Sequence, residues 1–318
     1  MAQSATFVLE NQGVLQQICG ANDANVALLE ELFDAHVYTR GNEVHLDSES
    51  QEAQQRFAQL FSELESHVAL GHTPGMDLIR AVYSGIVDED EEQTEFLRTW
   101  SVEIPINGRR VFPKSYRQAS FIKGLFESEL SFCIGPAGTG KTYLAIAYAL
   151  RQILSRSKRK LVLTRPVVEA GESLGFLPGD LAQKISPYLK PLYDAMENLV
   201  PPEVLQKLEE NRTIEIAPLA YMRGRSLRDC VIILDEAQNT TREQMKMFLT
   251  RLGENTEAIV TGDVTQIDLP RRNQSGLLDA LRILEGIPEI HFTYFTGKDI
   301  VRSRLVRRII QAYDADRS

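Results

Sequence analysis

The sequence predicts an α/β fold: a parallel sheet covered by helices on both faces, preceded by a small α+β module. Three observations predict it. From residue 115 onward, short apolar runs of strand type alternate with segments whose apolar residues recur at helical spacing. Residues 135–142 read Gly-Pro-Ala-Gly-Thr-Gly-Lys-Thr, a complete G-x-x-x-x-G-K-[ST] loop set between one such strand and one such helix. A second apolar run, Val231-Ile232-Ile233-Leu234, ends in an acidic pair, where a parallel strand delivers its last residues to the ligand-binding edge of the sheet.

The 318 residues leave room for two domains or one large one. Hydrophobic content of 43% and charged content of 25% are ordinary for a globular protein. No apolar run reaches the roughly 18 to 20 residues of a membrane span. The first residues have neither the basic start nor the apolar core of an export signal. A cytoplasmic protein with no membrane partner is expected. Cys19, Cys133 and Cys230 lie far apart, the last two inside strand-like runs, so neither a disulfide framework nor a thiolate metal site is indicated. The net charge of −9 is unevenly spread: residues 1–100 carry 4 Lys and Arg against 18 Asp and Glu, the remainder 31 against 26. An acidic front half argues against gripping nucleic acid by bulk electrostatics and suits a protein-contacting or regulatory module.

Taken in order, 26–33 has helical spacing, and Gly41-Asn42 is a turn ahead of the alternating strand Glu43-Val44-His45-Leu46. Ala53, Phe57, Leu60, Phe61 and Leu64 form a helical stripe over 48–64, with Ser48 or Ser50 as N-cap. A further helix runs over 76–84, and the acidic run Asp88-Glu89-Asp90-Glu91-Glu92 marks the end of a first domain, 1–90. A strand-turn-strand-helix unit here suggests a KH-like RNA-binding fold, against which stands the missing G-x-x-G loop. Residues 91–114 read as a linker with a hairpin around Asn107-Gly108, and 115–318 as the main domain. Its strands are expected at 130–134, 161–164, 213–216, 231–234, 258–261 and 290–293. Its helices are expected at 140–154, 181–198, 202–211, 241–252, 276–284 and 299–313.

A strand turning sharply into a helix aims backbone N–H groups and the positive helix end at an anion. Gly135, Gly138 and Gly140 let the backbone wrap a triphosphate, with Pro136, Ala137 and Thr139 completing the loop. Lys141 then reaches the β- and γ-phosphates and Thr142 ligates Mg²⁺, which makes ATP and Mg²⁺ the expected ligands. Asp235 holds the same Mg²⁺, and Glu236 orients or deprotonates the attacking water; a bare helix cap is the plainer reading of such a pair. The run Ala258-Ile259-Val260-Thr261 ends in Gly262-Asp263-Val264-Thr265-Gln266, where Asp263 and Gln266, together with Gln238, suit a sensor of the γ-phosphate. Gln118 offers an amide to the adenine edge and Tyr116 a ring to stack on it, unless both simply begin an exposed helix.

With these motifs in place the chain resembles the PhoH-like ATPases over roughly residues 112–315. The resemblance rests on GPAGTGKT, on RPVVEAGESLGFLPGDLAQKISPYLKPLYD (165–194), on MRGRSL (222–227), on DEAQN and on TGDVTQIDLP (261–270). It implies a P-loop NTPase fold of RecA-like type, similar to the core of superfamily 1 helicases, in which counterparts of Gln118, Asp235, Glu236, Gln238 and Gln266 take the roles above. It further implies work on RNA, with a ribonuclease or the ribosome as partner. Only one RecA-like lobe fits after Ser115, so a transition-state arginine is expected from a neighbouring copy in a homo-oligomeric ring such as a hexamer. Arg302 and Arg304 are the candidates, Arg271 and Arg272 the next. Basic runs at Arg156–Lys160, Arg223-Gly224-Arg225 and Arg271-Arg272 suit a phosphate backbone, although short runs of this kind are more often solvated loops. The alternative to an RNA motor is a nucleotide-dependent switch that recruits a protein through the acidic module.

Overall fold

A computed structural model describes residues 5–87, 91–106, 108–166 and 190–300. The chain forms two compact units, Met1–Ser101 with Phe112–Ala119, and Val102–Val111 with Ser120–Ser318.

In the first unit, β1 (Ala5–Val8), α1 (Gln12–Cys19) and α2 (Val26–Phe33) precede a hairpin of β2 (His36–Arg40) and β3 (Glu43–Asp47). The three strands pair antiparallel in the order β1-β3-β2. Gly41, at φ +67°, makes the hairpin turn possible. α3 (Gln51–Ala69) starts at Ser50, whose hydroxyl accepts the Ala53 N–H, and α4 (Met76–Val87) and α5 (Glu91–Thr99) follow. Phe57, Leu60, Phe61 and Leu64 form the buried stripe of α3 and pack with Leu29, Phe33, Ile79 and Val82. Part of the segment that reads as a linker is therefore helical. His67 and His72 are buried together, their Nδ1 atoms 3.1 Å apart.

The second unit begins with the hairpin β4 (Val102–Ile104) and β5 (Arg109–Val111), as expected around Asn107-Gly108. α6 (Tyr116–Glu127) belongs to the first unit as far as Ala119 and to the second from Ser120, and after it come β6 (Leu130–Ile134), α7 (Lys141–Leu154) and β7 (Lys160–Arg165). A helical stretch over 190–197, α8, leads to α9 (Pro202–Glu210), β8 (Ile214–Pro218) and β9 (Cys230–Leu234). Then follow α10 (Arg242–Leu249), β10 (Glu257–Gly262), α11 (Gly276–Leu284) and β11 (Ile290–Tyr294). The six main strands are all parallel, in the order β11-β6-β10-β9-β7-β8. β6 and β9 are buried along their whole length, which explains their unbroken apolar sequence. α10 opens on a reciprocal cap between Thr241 and Gln244 and ends at Leu249, earlier than its apolar spacing suggests. Cys19, Cys133 and Cys230 are buried thiols. The expected helix over 299–313 lies outside the described residues apart from its first two positions. Among the described residues no helix is long and apolar enough to cross a membrane.

Candidate nucleotide site

The register of the sheet decides which residues meet. Ile134 pairs with Gly262 and Tyr294, and Leu234 pairs with Val260 and Thr164. The loop after β6, the acidic pair after β9, Asp263 after β10 and Arg165 ending β7 therefore share the carboxyl edge. β10 lies between β6 and β9, so the strand that leads into Asp263 and Gln266 borders both walls of the site.

The loop 135–142 is a closed cradle. Gly135 approaches the chain after β11 so closely that a Cβ would sit 2.6 Å from Phe295 Cβ. Gly138 and Gly140 have φ of +82° and +83°, values that favour glycine. Thr139 Oγ1 donates to the Pro136 carbonyl over 2.9 Å, fastening the turn that carries Ala137. Gly140 caps α7, whose first N–H groups point back into the loop. Lys141 Nζ donates to the carbonyls of Gly135 and Pro136 over 2.6 and 2.8 Å. Burial holds the Lys141 pKa below the ordinary lysine value. Lys141, Thr142, Asp235, Glu236, Asp263 and Gln266 line one cleft of about 280 Å³.

The opposite wall is a chain of polar contacts. Asp235 Oδ1 accepts the hydroxyls of Thr142 at 2.8 Å and Thr261 at 2.6 Å. Glu236 follows with a left-handed backbone, φ +53°, an unusual conformation for a residue with a Cβ. Its Oε1 accepts the Arg165 guanidinium at 2.6 Å and its Oε2 the Gln238 amide at 2.6 Å. The other end of the Gln238 amide, Oε1, accepts the Asp263 backbone N–H at 3.0 Å. Asp263 in turn accepts the Thr265 N–H and hydroxyl on one oxygen and the Gln266 amide on the other. The residues present fit a hard divalent cation: a threonine hydroxyl and a carboxylate, both oxygen donors, meet beside a cradle shaped for phosphate.

Of the expected site residues, all from Gly135 to Thr142 and all from Asp235 to Gln266 are brought together. Gln118 lies in the segment Phe112–Ala119 of the first unit, where its Oε1 accepts the Lys114 N–H over 2.7 Å. Arg302 and Arg304 lie outside the described residues. Arg165 is the member that sequence reasoning missed. The sequence signal was only its place at the carboxyl end of the apolar run 161–164; that this strand lies beside the acidic one is a fact of the fold.

The basic runs are divided between two jobs. Lys158 is buried against the side chain and carbonyl of Asn255, and Arg225 makes a two-pronged bond to Glu215, which also accepts from Lys160. Arg225 first and then Lys160 hold the Glu215 carboxyl well below the usual range, at about 2. Arg156, Arg159, Arg223, Arg271 and Arg272 are exposed. The run at 156–160 precedes β7, at the amino edge, whereas Arg271 and Arg272 follow β10, at the carboxyl edge.

A family model described as PhoH-like protein matches residues 110–314. The PhoH-like protein of Mycobacterium tuberculosis is 46% identical over 296 residues, covering 93% of this chain and 84% of the relative. That of Bacillus subtilis is 43% identical over 311 residues, covering 96% of each. The protein PhoH of Escherichia coli is 44% identical over 205 residues, 64% of this chain and 58% of its own length. Among solved structures, the Pif1 helicase from Candida albicans aligns with 62% of this chain and 42% of its own at a TM-score of 0.33 and 16% identity, too loose an overlay to bear on the fold.

Proposed function

Because the chain belongs to the PhoH-like protein family, we propose that it hydrolyses ATP with Mg²⁺ and couples the hydrolysis to work on RNA. The observation that carries this reading is the convergence of Lys141, Thr142, Asp235 and Glu236 on one cleft at the carboxyl edge of the sheet. Lys141 binds the β- and γ-phosphates in place of the Gly135 and Pro136 carbonyls. Thr142 and Asp235 hold Mg²⁺, which supplies charge neutralisation at the phosphates. Glu236 takes the proton of the attacking water. Gln266 and Asp263, tied through Gln238 to Glu236, link the γ-phosphate to the water-handling side, and Gln118 serves the adenine.

For RNA the supporting residues are Arg271 and Arg272, exposed in the segment between β10 and α11. In this reading Arg302 or Arg304 of one copy completes the site of the next in a homo-oligomeric ring. A ribonuclease or the ribosome is the partner, in the cytoplasm. A nucleotide-dependent switch is the second reading. It is favoured by the acidic residues 1–100 and by a Glu236 whose two oxygens are both already bonded. Steady-state ATP hydrolysis with and without single-stranded RNA separates the two, with Glu236→Gln as blank. Stimulation several-fold by RNA supports the motor; RNA-indifferent turnover supports the switch.

A further inference from the structure

We propose that Arg165 is a positioning residue that holds Glu236 withdrawn, so that ATP hydrolysis requires the Arg165–Glu236 ion pair to open. The inference rests on the reading of Glu236 as the residue that handles the water.

The argument begins with strand order. β7 flanks β9 on one side, while β10 and then the phosphate-loop strand β6 lie on the other. A carboxylate bonded to Arg165, the last residue of β7, is anchored from the side of β9 away from the phosphate loop, although it still lines the cleft. The contact is short, 2.6 Å, and charge-assisted; the Arg165 side chain is 18% exposed and that of Glu236 39%, so the pair is shielded from water at its arginine end and open to it at the glutamate. Gln238 holds the second oxygen at 2.6 Å. Both oxygens of Glu236 are thus engaged by protein donors, and one of these bonds must be exchanged for a bond to water before the residue can act.

Opening the pair does not strand a buried cation. Arg165 Nη2 is also 3.8 Å from Asp235 Oδ2, a carboxylate that stays in place because Thr142 and Thr261 fix its other oxygen. The guanidinium can shift its weight to Asp235 as Glu236 leaves. In the step that follows, the water oxygen bonds to the γ-phosphorus and the bond to the bridging oxygen of the ADP leaving group breaks. Glu236 accepts the proton that the water gives up. Arg165 touches none of the reacting atoms; it sets where Glu236 stands.

The test uses the full chain with Arg165→Gln, which removes the charge, and Arg165→Lys, which keeps a cation without the planar fork. Expected for Arg165→Gln is a rise in kcat of about tenfold, the worth of one charge-assisted hydrogen bond, with KM for ATP within about twofold of the parent. Arg165→Lys gives a smaller rise, and Glu236→Gln in the same chain abolishes both. A crystal structure with a non-hydrolysable ATP analogue and Mg²⁺ should show Glu236 out of ion-pair distance of Arg165. Unchanged or lowered kcat in both variants, with fluorescent ATP-analogue binding intact, overturns the inference and leaves the nucleotide reading standing. A nucleotide complex in which the pair persists does the same. Absence of analogue binding in the parent, indistinguishable from Lys141→Ala, overturns the ATPase reading itself and this inference with it.

Discussion

Thr142 on the first turn of α7 donates its hydroxyl to Asp235, just past β9, over 2.8 Å, although β6, which leads into α7, and β9 are not neighbours. Thr261, on the strand between them, donates to the same oxygen over 2.6 Å. The pair is therefore held in place from below. Asp235→Asn keeps the shape but removes the charge. It is expected to weaken the Mg²⁺-dependent part of ATP affinity by about 10- to 100-fold while leaving Mg²⁺-free binding unchanged. Titration of a fluorescent ATP analogue with Mg²⁺ and with chelator measures both.

Lys141 gives a pH signature. Burial lowers its folded-state pKa, so at alkaline pH the free protein loses this proton before an exposed lysine does, and a triphosphate must restore it on binding. ATP affinity should fall as pH rises through the lowered value, before pH 10.5 is reached. Lys141→Arg, charged throughout, should lack that fall even if its affinity is weaker. Analogue binding between neutral and alkaline pH in the two proteins decides it.

The buried histidine pair of the first unit makes stability acid-sensitive. Burial, and then His72, lower the His67 pKa from the usual 6.5 to about 3. The unfolded chain takes up a proton at 6.5 that the folded chain refuses until about 3, so the stability is present above pH 6.5 and is lost as pH falls through that window. Between pH 7.5 and 5 the loss is about 2 kcal/mol. His291, whose pKa is also lowered chiefly by burial, adds in the same direction. Urea unfolding at both pH values should show the loss, and His67→Gln should flatten it.

Arg225 and the pair Arg271/Arg272 are expected to fail differently. Arg225→Ala removes a two-pronged partner from Glu215 and should lower stability by about 1 kcal/mol, the group being partly exposed. Replacing Arg271 and Arg272 together by Ala should weaken single-stranded RNA binding and its salt dependence while leaving the melting temperature within about a degree, because both side chains are exposed. A filter-binding salt series with thermal melts distinguishes the two behaviours.

Much of the second unit is legible in the sequence because strands buried on both faces must be continuously apolar. β6 and α11 fall on their expected bounds, and β7, β8, β10 and β11 within one or two residues of them. The phosphate loop and the acidic pair are equally legible, since each needs particular residue types at a particular spacing. Strand order is not: nothing in the periodicity of Ala258–Thr261 places β10 between β6 and β9. Arg165 and Arg225 also escape, because the partner of a cation is a tertiary fact. Arg225 sits in a basic loop whose sequence advertises a free surface, yet it pairs with a glutamate on β8. In the first unit β1 and β2 are short strands of mixed polarity, and β2 buries only Val37, too little for an alternation to stand out.

The position of β10 has a consequence for how such a site can change. Beside the direct bond from Thr142 to Asp235, the links that reach the wall carrying the acids pass through its last residues, by way of Thr261 to Asp235 and of Asp263 to Gln238. Gly262 has no slack, since a Cβ there would stand 2.6 Å from Leu277 and 3.0 Å from Gln238. A slip of one residue along β10 would unfasten both links at once. The strand is therefore frozen as a keystone, and variation is left to the turn that leaves it, from Val264 to Arg272. New inputs can be grafted onto that turn one at a time without rebuilding the arch beneath.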